Sequence, residues 1–130
     1  MSEIVLDASA LIAALLGEPG EEKVRAAVAA GAALSTVNLS EVVSHFARRG
    51  HGRDAILDLL APLPIEIVSF DSALAATAGL LVNETRSAGL SLGDRACLAL
   101  AQHRAAQVMT ADRAWSKLGR TLGLDIVVIR

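Results

Sequence analysis

The chain has 130 residues, a formal net charge of −2 and a hydrophobic content of 53%, most of it alanine, leucine and valine. That length suits one domain with its own core, and the composition excludes a disordered chain. Aromatic residues make up only 2%, namely Phe46, Phe70 and Trp115, which excludes a base-stacking surface of the single-strand-binding type. The negative balance leaves any nucleic-acid contact to a local basic patch.

In chain order, "EIVLD" (3–7) predicts a short apolar strand. "ASALIAALLG" (8–17) predicts a helix ending at Gly17, with "EPG" as the break. "EEKVRAAVAAG" (21–31) carries acids in its first turn and a glycine stop, the marks of a second helix. "AALST" (32–36) is the next strand. "NLSEVVSHFARRG" (38–50) predicts a helix capped by Asn38 and stopped by Gly50, and "RDAILDLLA" (53–61) a shorter one. After two prolines comes the strand "IEIVSF" (65–70). The longest helix is expected over 71–89 behind an Asp71 cap, and another runs from Ser91 to about Arg104. "AQVMTAD" (106–112) is a strand, "RAWSKLGRTLG" (113–123) a helix and "LDIVVIR" (124–130) the last strand.

Strands alternating with helices predict a parallel sheet covered on both faces, with right-handed crossovers, in a single domain over 1–130. The strands are continuously apolar, as doubly covered strands should be. No repeat, low-complexity tract or linker interrupts them. Cys97 is the one cysteine, so no intramolecular disulfide forms and a reducing, cytoplasmic setting is expected. Its place in an apolar helix predicts a small buried hydrophobe. "MSEIVLDAS" has no basic region followed by an apolar run, so no signal peptide is expected. No apolar stretch reaches the roughly 18 residues of a membrane span.

In such sheets ligands bind beyond the carboxyl ends of the strands, near the point where strand order reverses. Four acids fall at that edge. Asp7 ends the first strand, Glu41 lies in the first turn after the second, Asp94 opens the helix from Ser91, and Asp112 follows the fourth strand. Each has a plain structural reading. Asp7 and Asp112 suit N-caps. Asn38 to Glu41 has the spacing of a capping box, and Asp94 stands at the same offset from Ser91, where an acid favours the helix dipole. The set is harder to explain away. Like charges gathered in one cleft raise each other's pKa values, and a fold tolerates this most simply when cations compensate. Hard divalent ions take oxygen ligands, and paired ions clamp the oxygens of a phosphodiester. A metal-dependent phosphoryl-transfer site is therefore the expectation.

"IVLDASALIAALL", "NLSEV" around Glu41, "LSLGDRACLALA" around Asp94 and "VMTADRAW" around Asp112 together resemble a PIN domain. More narrowly they resemble the VapC-type ribonuclease toxin of a bacterial toxin–antitoxin pair. The opening D-x-S is weakly specific, whereas D-R-x-x-L-A-L-A followed by T-A-D-x-x-W is far more so. The resemblance spans nearly the whole chain. It implies a three-layer α/β/α fold with a five-stranded parallel sheet in the order 3-2-1-4-5. It further implies that Asp7, Glu41, Asp94 and Asp112 are the catalytic, metal-binding acids for Mg²⁺ or Mn²⁺, supported by Ser9 and Thr110. RNA is the implied substrate, cleaved by hydrolysis. A cognate VapB-like antitoxin that blocks the site and a homodimer are the implied partners.

Arg95 and Arg113 each follow a site acid, and Lys117 and Arg120 continue the Arg113 face, so these are the phosphate-contact candidates. The alternative for each is a solvated surface charge. His45, His51 and His103 form no i, i+4 pair and stand near no zinc pattern, so surface or structural roles are expected. A receiver domain would want paired acids after the first strand, and a haloacid-type phosphatase an aspartate where Ser9 stands. The serious rival is a catalytically inert PIN-like module that binds RNA or protein.

Overall fold

The structure is a computed structural model and describes residues 4–130. Chain order within them is β1 (Ile4–Leu6), α1 (Ala8–Leu16), α2 (Glu21–Ala29), β2 (Ala33–Ser35), α3 (Thr36–Ala47), α4 (Arg53–Leu60) and β3 (Glu66–Val68). Then follow α5 (Ser72–Glu84), a 3-10 turn (Arg86–Ala88), α6 (Leu92–Arg104), β4 (Gln107–Thr110), a 3-10 turn (Arg113–Lys117), α7 (Leu118–Leu122) and β5 (Ile126–Val128). Glu3, the expected first residue of the first strand, lies outside the described residues.

The five strands form one sheet in the order β3-β2-β1-β4-β5, and every pairing is parallel. Val5 pairs with both Ala33 and Val108, and Leu6 with Met109. Because side chains alternate along a strand, this register sorts them into two cores. Leu6, Leu34 and Met109 pack with Leu11 and Ala14 of α1, Val24 and Val28 of α2, Val42 and Phe46 of α3 and Ile56 of α4. Val5, Ala33 and Val108 pack with Leu74, Ala78 and Leu81 of α5, Leu98 and Ala101 of α6, Trp115, Leu118 and Leu122. The result is the expected three-layer α/β/α arrangement. Cys97 is fully buried in the second core, as expected of a small hydrophobe. Among the described residues no helix is long and apolar enough to cross a membrane.

The strands are shorter than expected, and three helices differ from the sequence reading, each for a local reason. The helix expected to start at Asn38 starts at Thr36, because the Ser35 hydroxyl accepts the Val37 N–H at 3.2 Å and takes the cap. Asn38 therefore lies inside α3 and is buried. The helix expected over 71–89 ends at Glu84. There the Thr85 hydroxyl donates to the Leu81 carbonyl at 2.7 Å, and the chain turns through Gly89 in the left-handed region at φ 61°. The segment expected as one helix over 113–123 is a 3-10 turn and then α7. Asp112 accepts the Ala114 N–H at 2.9 Å, and that i to i+2 bond tightens the start.

Candidate active site at the sheet switch point

Strand order reverses between β1 and β4. Their carboxyl ends lie side by side, since Asp7 N–H donates to the Met109 carbonyl at 2.9 Å. Asp7 occupies the N-cap position of α1 but makes no capping hydrogen bond with its side chain. Its Oδ2 instead accepts the Ser9 hydroxyl at 2.7 Å and the Thr110 hydroxyl at 3.0 Å. The same two hydroxyls accept backbone N–H groups, Ser9 from Ala111 across the strand ends at 3.0 Å and Thr110 locally from Asp112 at 3.1 Å. Ser9 and Thr110 thus lock one face of the carboxylate and stitch β1 to the segment after β4. Asp7 is only 5% exposed. Its pKa is raised from 3.8 to about 6, by burial first and last by the Asp94 and Glu41 charges, against the pull of the two hydroxyls.

The charges of Glu41 on α3 and Asp94 on α6 thus reach Asp7 from two other elements. The Glu41 carboxylate accepts the Asn38 side-chain N–H at 2.8 Å, and the same Asn38 nitrogen donates to the Gly93 carbonyl at 3.0 Å. Sequence spacing suggested a capping box from Asn38 to Glu41. The observed bond joins two side chains inside α3, because Ser35 holds the cap. Glu41 lies so close over Gly93 that a Cβ there would overlap its carboxylate. The expected acid at Asp94 is part of a full capping box on α6. Ser91 accepts the Asp94 N–H at 3.2 Å, and Asp94 Oδ2 accepts the Ser91 N–H at 2.9 Å. Cys97 lies one turn further along α6. Burial first, then the Asp7, Asp94 and Glu41 charges, pushes its thiol up, so it stays neutral beneath the three acids.

Asp112 is exposed and spends one oxygen on the 3-10 turn, joining the cluster only through Thr110. The structure thus groups Asp7, Glu41 and Asp94 and leaves Asp112 at the rim. Among the described residues no three acid, histidine or cysteine side chains are drawn close enough to form a ready metal shell. The donor set is nevertheless all oxygen, and Asp7 is raised by burial first and then by its neighbours' negative charge, the situation a divalent cation relieves.

The basic candidates divide. Arg95 is half-buried and donates to the Ala78 carbonyl at 2.9 Å, fastening α6 to α5. Arg113 and Lys117 are exposed and line a cavity of about 490 Å³ with Ser87, Ser116, Thr121 and Glu84. Arg113 also donates to the Arg130 carbonyl at 3.1 Å. The histidines follow expectation: His51 and His103 bond to Phe46 O and Thr77 Oγ1, and His45 meets the Phe46 ring edge-on. Two contacts escaped sequence reasoning. One is Asn38 bridging Glu41 to Gly93, for which a buried amide three residues before an acid is the only trace. The other is Arg104 of α6 gripping Glu66 of β3 with bonds of 2.6 and 2.7 Å.

A parallel α/β/α sandwich with acids at its switch point defines the class of fold. The PIN domain model matches residues 4–121, and the chain belongs to the PIN domain family. Solved structures share the fold at low identity. A toxin–antitoxin complex from Klebsiella pneumoniae aligns with a TM-score of 0.71 at 18% identity, covering 98% of both chains. DNA-bound VapBC from Salmonella typhimurium gives 0.72 at 17% identity, again over 98% of each chain. FitAcB from Neisseria gonorrhoeae gives 0.64 at 21% identity over 95% of each. No curated protein matches the chain by sequence.

Proposed function

We propose that this protein is a VapC-type toxin, a metal-dependent endoribonuclease held in check by a cognate antitoxin. PIN domains are generally nucleases. The observation that carries the finer reading is the Asp7 carboxylate, buried at the switch point and reached by the Glu41 and Asp94 charges. Such a group is costly without a compensating charge and useful with one. Asp7 and Asp94 are the central candidate ligands for Mg²⁺ or Mn²⁺, with Glu41 and Asp112 completing the set directly or through water. A bound ion of this kind supplies a water of lowered pKa for in-line attack on phosphorus.

The chain's own residues position charge, as is general in phosphoryl transfer. Ser9 and Thr110 hold Asp7 Oδ2. The Asp94 capping box and the Arg95 bond to α5 fix the first turn of α6. Arg113 and Lys117 offer phosphate contacts in the cavity that they line with Glu84. Ser87, Ser116 and Thr121 add hydroxyls to the same wall.

The antitoxin reading draws on the structural relatives, which include toxin–antitoxin and VapBC complexes. It is supported by two adjoining apolar grooves that share Leu11 and Leu63. One, of about 240 Å³, runs along Leu15 and Val28. The other, of about 410 Å³, runs along Leu39, Leu57 and Ile67. An amphipathic antitoxin segment suits such a surface. A homodimer and a cytoplasmic setting, where the lone buried thiol stays reduced, complete the proposal.

The test is cleavage of a mixed RNA pool by partner-free protein with Mn²⁺, with chelator, and by Asp94→Asn. Cleavage that needs both the metal and Asp94 is expected. Folded wild type that neither cleaves nor binds Mn²⁺ would overturn the enzyme reading in favour of the inert binding module.

A further inference from the structure

We infer that Asn38 is a positioning residue, a buried amide that sets Glu41 and the first turn of α6 at one fixed separation. The inference rests on the metal-dependent reading above and names a residue that the acids alone do not reveal.

Asn38 is 0% exposed. One nitrogen of its amide reaches two acceptors on different elements: Glu41 Oε1 at 2.8 Å, one turn further along α3, and Gly93 O at 3.0 Å, on the residue before Asp94. An amide has two N–H groups, so both bonds form at once. The orientation is not open to a flip, because the reversed amide would aim its oxygen at a carboxylate and a carbonyl. Its own Oδ1 is buried and accepts no hydrogen bond. Buried polar atoms without partners are rare and destabilising. What the amide provides in return is the bridge.

Gly93 shows how tight the bridge is. The Glu41 carboxylate occupies the space that a Cβ at Gly93 would need. Glu41 is thus pressed onto the backbone of α6 one residue before Asp94, with Asn38 closing the triangle from α3. Without the amide, only packing against Gly93, and no hydrogen bond among the described residues, holds the Glu41 carboxylate at α6. It would be freer to swing away from Asp7 and Asp94. Outer groups that orient ligands typically change metal affinity 10- to 100-fold when removed.

The experiment is Mn²⁺ titration, read by electron paramagnetic resonance, on wild type, Asn38→Leu, Glu41→Gln and the double variant, with a thermal melt of each. Asn38→Leu removes the orphaned carbonyl but leaves Glu41 Oε1 and Gly93 O without their donor, so a modest fall in melting temperature is expected, together with Mn²⁺ binding about 10-fold weaker. The double variant is expected to bind no worse than Glu41→Gln, because Asn38 acts through Glu41. Gly93→Ala attacks the same contact from the other side. It is expected to weaken Mn²⁺ binding although alanine is the better helix former. If Asn38→Leu fails to fold, Asn38→Ala, which removes the donor without adding bulk, carries the same expected loss of Mn²⁺ affinity and decides the question.

Unchanged Mn²⁺ affinity in Asn38→Leu, or losses that add in the double variant, would overturn the positioning role and leave the enzyme reading intact. A lower melting temperature with unchanged affinity would make Asn38 merely structural. Wild type that binds no Mn²⁺ would remove the metal-dependent reading, and this inference with it.

Discussion

Replacing Asp7 by asparagine should make the metal-free protein more stable at neutral pH while removing its metal site. Burial holds the Asp7 pKa at about 6 against 3.8 when exposed. At about 1.36 kcal/mol per unit, its ionised form opposes folding by roughly 3 kcal/mol at most. Asparagine keeps the shape and can accept both hydroxyls, but its buried NH₂ gains no assured partner, which returns part of the benefit. A net gain of about 1–2 kcal/mol remains. For a chain of 130 residues that raises Tm by about 4–8 °C. The pH dependence has a definite sign. Between pH 3.8 and about 6 folded wild type holds a proton that the unfolded chain has released, so wild-type stability falls as pH rises through that window. The asparagine side chain holds no such proton. Calorimetry in chelator should therefore show the variant's advantage in full at pH 8 and closing towards pH 4. Saturating Mn²⁺ should raise the wild-type Tm and leave the variant's unmoved. A variant that melts below wild type at pH 8, or a gap independent of pH, would refute the argument that Asp7 carries an uncompensated charge.

Two other outcomes test the surroundings of the site. Arg113→Ala and Lys117→Ala should each raise KM for RNA more than they lower kcat, and each should reduce the slope of log affinity against log salt by about 1. Cleavage and filter binding across a salt series measure both. Arg104→Ala breaks the pair with Glu66, which raises the Arg104 pKa through the hydrogen bond. The pair is partly exposed, so the loss should be at most about 1 kcal/mol and should shrink in high salt, read by urea melts at two ionic strengths.

The sequence carried the parts of the fold that rest on local pattern. Gly17 placed a helix end and the proline pair the start of a strand, and the alternation of apolar strands with helices pointed to the parallel sheet. Asp7 and Asp94 were legible because the ends of apolar strands and the starts of helices share one edge in such a sheet. What stayed hidden depended on partners far along the chain. Ser35 and Asn38 are both good caps three residues apart, and only the strand length of β2 decides that Ser35 takes the role. Once it does, Asn38 turns inward, and its partner is 55 residues away on α6. Arg95 looked like a phosphate contact because it follows a site acid, yet it reaches back 17 residues to the Ala78 carbonyl.

That division has a physical cause. Caps, stops and strand runs are decided within one turn of the chain, where the sequence is the environment. The site is assembled from β1, α3, α6 and the end of β4, and its geometry is fixed by small polar groups that each bridge two of them. Ser9 and Thr110 bridge β1 to the end of β4, and Asn38 bridges α3 to α6. Acids are conspicuous in a sequence because burying them is costly. A buried serine, threonine or asparagine passes as ordinary helix or strand composition. If the cleft works as proposed, its precision resides in these three bridges as much as in the carboxylates. Substitutions at Ser9, Asn38 and Thr110 should then alter metal affinity while leaving every acid in place.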